Sequence, residues 1–418
     1  MAESIKKNAL LLLIGLSAVI YLPVFQPSFD ALSIGQYLGF VGIQLIWWQV
    51  VLGSRVISRY FSSDLFFIKN VHKYMGRYGF ILVMLHPTVL LLTYGTQLII
   101  PSFDFSDQFV LGTTMGRIGL SFLILTWFVS FFLRAKISWR NWKRIHLVPY
   151  IALPILFYHS FLVGTHLQTS AFFKNMIIFL IATFAIVALI RLVDWSGEYK
   201  MKYKLVKKTN VANNVTKYDF APLGSRITPT PGQFAYQQMK RFGETHPFTI
   251  SHFDKDTGQI SQSIKSVGPY TKALTEIKIG STVYFEGPYG VFTEEITAKA
   301  RPIVMVAGGI GITPFIRWLQ AKKIDYLFYG AQTEKDLAYQ KTISTSGAKI
   351  LGVLSGQRKS GYANGYVTSE LIEKNLGKDL KSYDFYICGP PPMMDKITSN
   401  LLAKKVPAEQ IHSERFSL

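Results

Sequence analysis

Along roughly the first half of the chain the hydrophobic residues come in long unbroken runs; beyond it they alternate or gather in short clusters. The runs Ala9–Phe25, Tyr37–Gly53, Tyr74–Tyr94, Ile118–Leu133, Ile145–Val163 and Ala171–Ile190 are near the ~20 residues a helix needs to cross the hydrocarbon core. The pattern predicts a six-helix transmembrane bundle over residues 1–195. Lys6 and Lys7 precede the first run as in a signal peptide, but the bulky Tyr21-Leu22-Pro23-Val24-Phe25 offers no small-residue cleavage site. An uncleaved helix is expected there.

After a boundary near Asp194–Lys200 the periodicity changes. Met201–Val206, Gln233–Met239, Phe248–His252, Gln259–Lys265 and Ser281–Glu286 are short alternating runs separated by turn residues, which predicts an antiparallel β-barrel over 200–298. From 299 to 418 strands alternate with helical segments: Arg301–Ala307, Tyr326–Gly330 and Asp384–Cys388 read as buried strands of a small doubly wound α/β domain.

Composition sharpens this picture. Hydrophobic residues make up 49% of the 418 and charged residues 17%, yet the formal net charge is +20. A nucleic-acid-binding module has no need of the apolar runs, so the basicity points to a membrane protein with a positive cytoplasmic face. Lys6, Lys7, Arg55, Arg59, Lys69, Arg134, Lys136, Arg140, Lys143 and Arg144 flank alternate ends of the spans. The intervening loops 28–36, 96–115 and 164–170 have no Lys or Arg. That bias places both termini, and the β-rich half, in the cytoplasm of a multi-pass plasma-membrane protein. The single cysteine, Cys388, excludes an internal disulfide and a cysteine-ligated cluster.

Ionisable residues inside spans are function candidates by default. Span three carries His72 and His86, span five His146 and His159, each with one histidine near the inner and one near the outer end. Fourteen residues rise roughly 21 Å and return within roughly 40° of the same face, which suits two haems stacked across a bilayer. Neutral imidazole is an ordinary axial ligand of haem iron. His146 and His159 are 13 apart, roughly 140° on an ideal helix. Pro149 and Pro154 between them distort that geometry. His166 is a rival outer ligand, and Arg77 either pairs with a haem propionate or reaches for the cytoplasmic surface.

In the soluble half the strand Arg301–Ala307 runs into Gly308-Gly309-Ile310-Gly311-Ile312-Thr313-Pro314, a glycine-rich loop of the kind that lets backbone amides approach a pyrophosphate. With the four membrane histidines, His246-Pro247-Phe248-Thr249 and Cys388-Gly389-Pro390, the chain resembles the NADPH oxidase and ferric reductase superfamily, its prokaryotic NADPH oxidases above all, over nearly its whole length. The resemblance implies two b-type haems held by His72, His86, His146 and His159, with FAD and NADPH or NADH bound by a ferredoxin-reductase-like half. It assigns His246, Pro247, Phe248 and Thr249 to the FAD isoalloxazine side, and Ser263, Ile264, Lys265, Gly268 and Thr271 to the FAD pyrophosphate. Glu286-Gly287-Pro288-Tyr289-Gly290 resembles the turn that ends the flavin barrel. Gly308, Gly309, Gly311, Thr313 and Pro314 are assigned to the nucleotide phosphates. Cys388, Gly389 and Pro390 fall near the nicotinamide, and Phe416 matches an aromatic stacked on the flavin; Phe416 and Cys388 are the expected catalytic-side residues.

Such a chain carries electrons from NAD(P)H through FAD and two haems to an outer acceptor: dioxygen, giving superoxide, or a ferric chelate. Acidic Asp30, Asp104 and Asp107 in the outer loops disfavour an anionic chelate. A membrane flavocytochrome feeding a partner protein is the alternative of a different class. No calcium-binding loop or proline-rich adaptor motif points to a regulatory partner. Gln332 stands where related oxidases place arginine, and Glu334 would repel a 2′-phosphate, whereas Arg358 and Lys359 could reach one. The expectation is weak discrimination between the two nucleotides.

Overall fold

The computed structural model describes residues 2–22, 30–95, 106–293, 296 and 301–414. It forms two compact units, Met1–Val193 and Asp194–Leu418. The main helices of the first are α1 (Ala2–Val19), α2 (Ala31–Leu52), α3 (Leu65–Tyr94), α4 (Gln108–Phe128, continued by a π-helical turn to Leu133), α5 (Trp139–His146), α6 (Pro149–Val163) and α7 (Ala171–Ser196).

Among the described residues five segments are long and apolar enough to span a membrane, namely α2, α3, α4 with its π turn, α5 with α6, and α7. The first expected span is not among them, because α1 is 18 residues long and includes Glu3, Lys6 and Lys7. The helices begin earlier than the apolar runs do because aspartates cap them. Asp30, Asp64 and Asp107 accept hydrogen bonds from the amides of Ser33, Phe67 and Val110, satisfying donors that a helix start leaves orphaned. Span five is broken: α5 ends at His146, and α6 restarts with Pro149 in its first turn. Proline is suited to that position, where it has no amide to waste.

In the second unit a closed barrel runs in the order β1-β2-β5-β4-β3-β6, with β1 Met201–Ala212, β2 Val215–Pro222, β3 Phe234–Gln238, β4 Thr245–Phe253, β5 Ile260–Lys265 and β6 Thr282–Tyr289. The strand β2 was not foreseen; Asn213 and Asn214 form its hairpin turn with β1, Asn214 at φ 55°. The helix α8 (Pro269–Glu276) follows β5. Beyond it lies a parallel sheet ordered β10-β9-β8-β7-β11-β12. Its strands are β7 (Ile303–Gly308), β8 (Tyr326–Ala331), β9 (Lys349–Leu354), β10 (Ala363–Asn364), β11 (Asp384–Cys388) and β12 (Ile411–Ser413). The strand order reverses between β7 and β11, the switch point at which open α/β sheets bind ligands.

The barrel closes on an apolar core that includes Tyr203, Leu205, Phe220 and Phe285, all fully buried. Tyr203 also accepts a 2.7 Å hydrogen bond from the buried Ile227 amide. Tyr203→Phe removes that acceptor and is expected to destabilise the unit by about 1–3 kcal/mol. The check is a lower denaturant midpoint at an unchanged slope in the purified chain; an unmoved midpoint contradicts the account.

Candidate functional site

In the first unit α2 packs along α3, and α4 along α6. The histidines of α3 meet those at the α5–α6 break and on α6. His72 faces His146 with ring centres 5.9 Å apart, and His86 faces His159 at 6.3 Å. A metal–imidazole bond is about 2.0–2.1 Å, and a ring nitrogen lies roughly 1.1 Å from its ring centre. Two rings on opposite faces of one metal are therefore roughly 6.2 Å apart by the same bond lengths. Both pairs fit a bis-imidazole centre such as haem iron.

The outer pair shows how such rings are aimed. His86 Nδ1 lies 2.7 Å from the Gly35 carbonyl, and His159 Nδ1 lies 2.8 Å from the Gly112 carbonyl. A carbonyl can only accept, so each Nδ1 carries the proton and Nε2 keeps its lone pair for a metal, the usual outer-shell arrangement of a ligating histidine. One turn on from each carbonyl is a second glycine against the ring. A Cβ on Gly39 would lie 2.9 Å from His86 Cε1, and one on Gly116 would lie 2.8 Å from His159 Cε1. This repeat of two helix pairs was legible only as glycines four apart. At the inner pair His146 Nδ1 is 3.1 Å from Ser130 Oγ, while His72 Nδ1 is buried without a hydrogen-bond partner among the described residues. The α5–α6 break resolves the register conflict expected of an unbroken helix.

His166 makes other contacts. Its Nε2 lies 3.1 Å from Gln36 Oε1, and its ring packs on Phe173. Arg77 lays its guanidinium over the Phe131 ring at 4.7 Å. Arg191, which the sequence reading passed over, donates to the Gly53 carbonyl at 3.1 Å and the Tyr150 hydroxyl at 2.9 Å, tying α7 to the end of α2 and the start of α6.

In the second unit His246, Pro247, Phe248 and Thr249 lie on β4, paired with Gln237, Tyr236, Ala235 and Phe234 of β3. The His246 ring packs on Tyr270 at 3.9 Å between centres, and Thr249 is buried. Ser263, Ile264 and Lys265 end β5, opposite Lys217, Thr216 and Val215. Gly268 caps α8; its amide and that of Val267 both donate to Thr271 Oγ1 at 2.9 Å. Thr271 thus braces this turn.

The nucleotide loop leaves β7 as a 3-10 turn, Gly309–Phe315, rather than entering an α-helix directly. Gly309 has φ 53°. Thr313 Oγ1 donates to the Ile310 carbonyl at 3.0 Å, and Pro314 is buried. The loop lies against the end of β11. A Cβ on Gly311 would be 2.4 Å from the Cys388 carbonyl oxygen, and one on Gly308 would be 2.7 Å from Pro390 Cδ. Glycine-rich loop and Cys388-Gly389-Pro390 therefore meet at the switch point. The Cys388 thiol is wholly buried, and burial pushes its pKa well up, which keeps it a thiol rather than a nucleophile. Phe416 lies outside the described residues.

Glu334 and Lys359, expected to act oppositely on a 2′-phosphate, form an ion pair, and the Gln357 side chain accepts from the Glu334 amide at 2.9 Å. The lysine's hydrogen bond holds the half-buried Glu334 carboxyl below its ordinary range. Arg358 neighbours this pair in the chain, after β9.

Comparison with known proteins matches residues 202–293 to an oxidoreductase FAD-binding domain and residues 305–399 to an oxidoreductase NAD-binding domain. The second unit carries both domains. The electron transfer component of 2-halobenzoate 1,2-dioxygenase from Burkholderia cepacia is 29% identical over 219 residues, 48% of this chain and 60% of the relative. NADH-cytochrome b5 reductase 1 of Aspergillus terreus is 29% identical over 246 residues, 51% of this chain and 82% of the relative. The chain spans 60%, 58% and 57% of three dioxygenase electron transfer components that it matches. Among solved structures, a flavohemoglobin from Malassezia yamatoensis is similar at 18% identity and TM-score 0.46, covering 78% of this chain and 92% of that one.

Two outcomes test these sites. Gly39→Ala and Gly116→Ala are each expected to displace the ring they touch and reduce haem bound per purified chain, whereas Gly15→Ala, with open space around its Cβ, leaves it unchanged; equal haem in all three contradicts the aiming role. Glu334→Gln frees Lys359 from its carboxylate. It is expected to raise kcat/KM for NADPH relative to NADH about tenfold, roughly 1.4 kcal/mol, in steady-state kinetics with each nucleotide. An unmoved ratio dissociates the pair from nucleotide choice.

Proposed function

We propose that the chain is a membrane NAD(P)H oxidase: it carries electrons from NAD(P)H on the cytoplasmic side, through FAD and two b-type haems, to dioxygen at the outer face, giving superoxide. The observation that carries this reading is the pair of facing histidine couples at ring separations of 5.9 and 6.3 Å, in a chain whose other unit carries FAD- and NAD-binding domains. When bound, FAD accepts the two electrons of a hydride and the haems relay electrons singly across the bilayer.

The chain's own residues would do the following. Gly309, with open space where a Cβ would stand, would let a dinucleotide backbone approach the switch point, while Gly308 and Gly311 let the loop close against Cys388-Gly389-Pro390. His246–Thr249, Ser263–Lys265, Gly268 and Thr271 would line the flavin site. His72 with His146 would hold the inner haem, and His86 with His159 the outer one, the latter two aimed by the Gly35 and Gly112 carbonyls. The runs of Lys and Arg at alternate span ends support a cytoplasmic location of both termini. Asp30 and Asp107 cap their helices in segments that lack basic residues, which favours a neutral acceptor over an anionic ferric chelate.

The test is purified, FAD-loaded chain given NADH or NADPH, with oxygen uptake and superoxide measured together. Superoxide formation that is lost in His86→Ala and His159→Ala, with flavin reduction preserved, supports the reading. Reduction of a ferric chelate in the absence of superoxide would assign the reductase activity instead. Two haems per chain are expected in the wild type, with inner-pair and outer-pair variants each losing a different one; full haem content in all four histidine variants would remove the relay.

A further inference from the structure

Within the second unit, one side chain of the nucleotide-binding domain reaches into the wall of the flavin barrel. Tyr339 follows β8 by a short connection and has φ 61° and ψ 28°. A left-handed backbone is sterically disfavoured for a bulky L-residue, so something must hold it there. Its hydroxyl donates to Ser251 Oγ at 3.1 Å and is hydrogen-bonded to Ser263 Oγ. Ser251 sits at the irregularity between Ile250 and His252, where the β4–β5 ladder slips. Its own hydroxyl donates to the Ser261 carbonyl at 3.2 Å.

The direction of these bonds is fixed by counting protons. The Ser261 carbonyl can only accept, so the single Ser251 proton goes there. Ser251 must then accept from Tyr339, which spends the one Tyr339 proton. Tyr339 must therefore accept from Ser263. The chain of donors runs from Ser263 to Tyr339 to Ser251 to the Ser261 carbonyl, with every hydroxyl satisfied. It leaves Ser263 with lone pairs but no proton for an outside anion, so Ser263 in this arrangement is not a phosphate donor.

We infer that the relay Ser263–Tyr339–Ser251 is a positioning device: it sets the nucleotide-binding domain against the flavin strands β4 and β5 and so fixes the nicotinamide relative to the flavin. This rests on the reading that NAD(P)H reduces FAD in this chain. The relay joins a strained residue to a slipped ladder. Strain and bulges of this kind are retained where geometry has to be specified. The domains have other ties: Asn213 donates from its amide to the Lys335 carbonyl at 2.8 Å and from its side chain to Asp336 at 3.2 Å. Arg317 donates to the Pro229 carbonyl at 3.0 Å. Losing the relay therefore loosens the junction without opening it. Transfer between held reactants is sensitive to misplacement, about 1 Å costing as much as a hundredfold.

The test uses the full chain loaded with FAD and mixed anaerobically with NADH. The rate of flavin bleaching is followed against NADH concentration for the wild type, Tyr339→Phe, Ser251→Ala and the double variant. Tyr339→Phe is expected to lower the limiting rate at least tenfold while the half-saturating NADH concentration changes less than twofold. The double variant should be no slower than the slower single one, the non-additivity of residues acting as one unit. Ser263→Ala, which breaks the relay from its other end, should slow reduction in the same way and keeps the test open if one variant fails to fold. A limiting rate unchanged in Tyr339→Phe and Ser263→Ala, or effects that multiply in the double variant, overturns the relay. Wild-type flavin that NADH does not reduce overturns the oxidoreductase reading and the relay's role with it.

Discussion

The hydrogen bond from an imidazole Nδ1 to a helix carbonyl is the interaction on which the helical unit turns. An imidazole buried in an apolar bundle with an unpaired N–H would cost roughly 1–3 kcal/mol. Helix carbonyls are ordinarily committed to their own ladder, yet a carbonyl oxygen has a second lone pair. Gly35 and Gly112 lend theirs because Gly39 and Gly116, one turn on, have no Cβ to keep the ring away. The packing of α2 on α3 and of α4 on α6 follows from that closeness. Under the proposed function, so does the readiness of Nε2 for iron.

The second unit uses absent side chains to a different end. At the switch point Gly311 nearly touches the Cys388 carbonyl, and Gly308 nearly touches Pro390. Both approaches involve backbone or rigid ring atoms, which cannot swing aside as a flexible side chain would. The adjacent ends of β7 and β11 are thereby held at a close, fixed separation.

Much of this was legible in the sequence, and the exceptions have physical causes. Apolar runs located the long helices α2, α3, α4, α6 and α7 because a helix that is apolar on every side leaves an unbroken hydrophobic stretch in the sequence. They missed the capped polar turns, since a cap is a local hydrogen bond that hydropathy does not register. Four histidines at matched depths were readable from spacing, but their pairing depended on a helix break whose angle no periodicity supplies. The strand β2 was hidden because its buried residues, Val215, Tyr218 and Phe220, do not alternate strictly: Thr216 and Lys217 both fall between the first two. Tyr339 and Arg191 gave no signal at all: each acts through partners far away in the chain, and neither belongs to a motif.

The interruption at Leu147–Val148 has a consequence for how this architecture can change. In an unbroken helix every residue added or removed rotates all that follows by about 100°, so two ligands on one helix cannot be adjusted separately. Here α5 and α6 each present one histidine from its own short axis. A change in the length or tilt of one segment is absorbed at the joint. His146 and His159 can thus be re-aimed one at a time, whereas His72 and His86, which share the continuous α3, can only turn together.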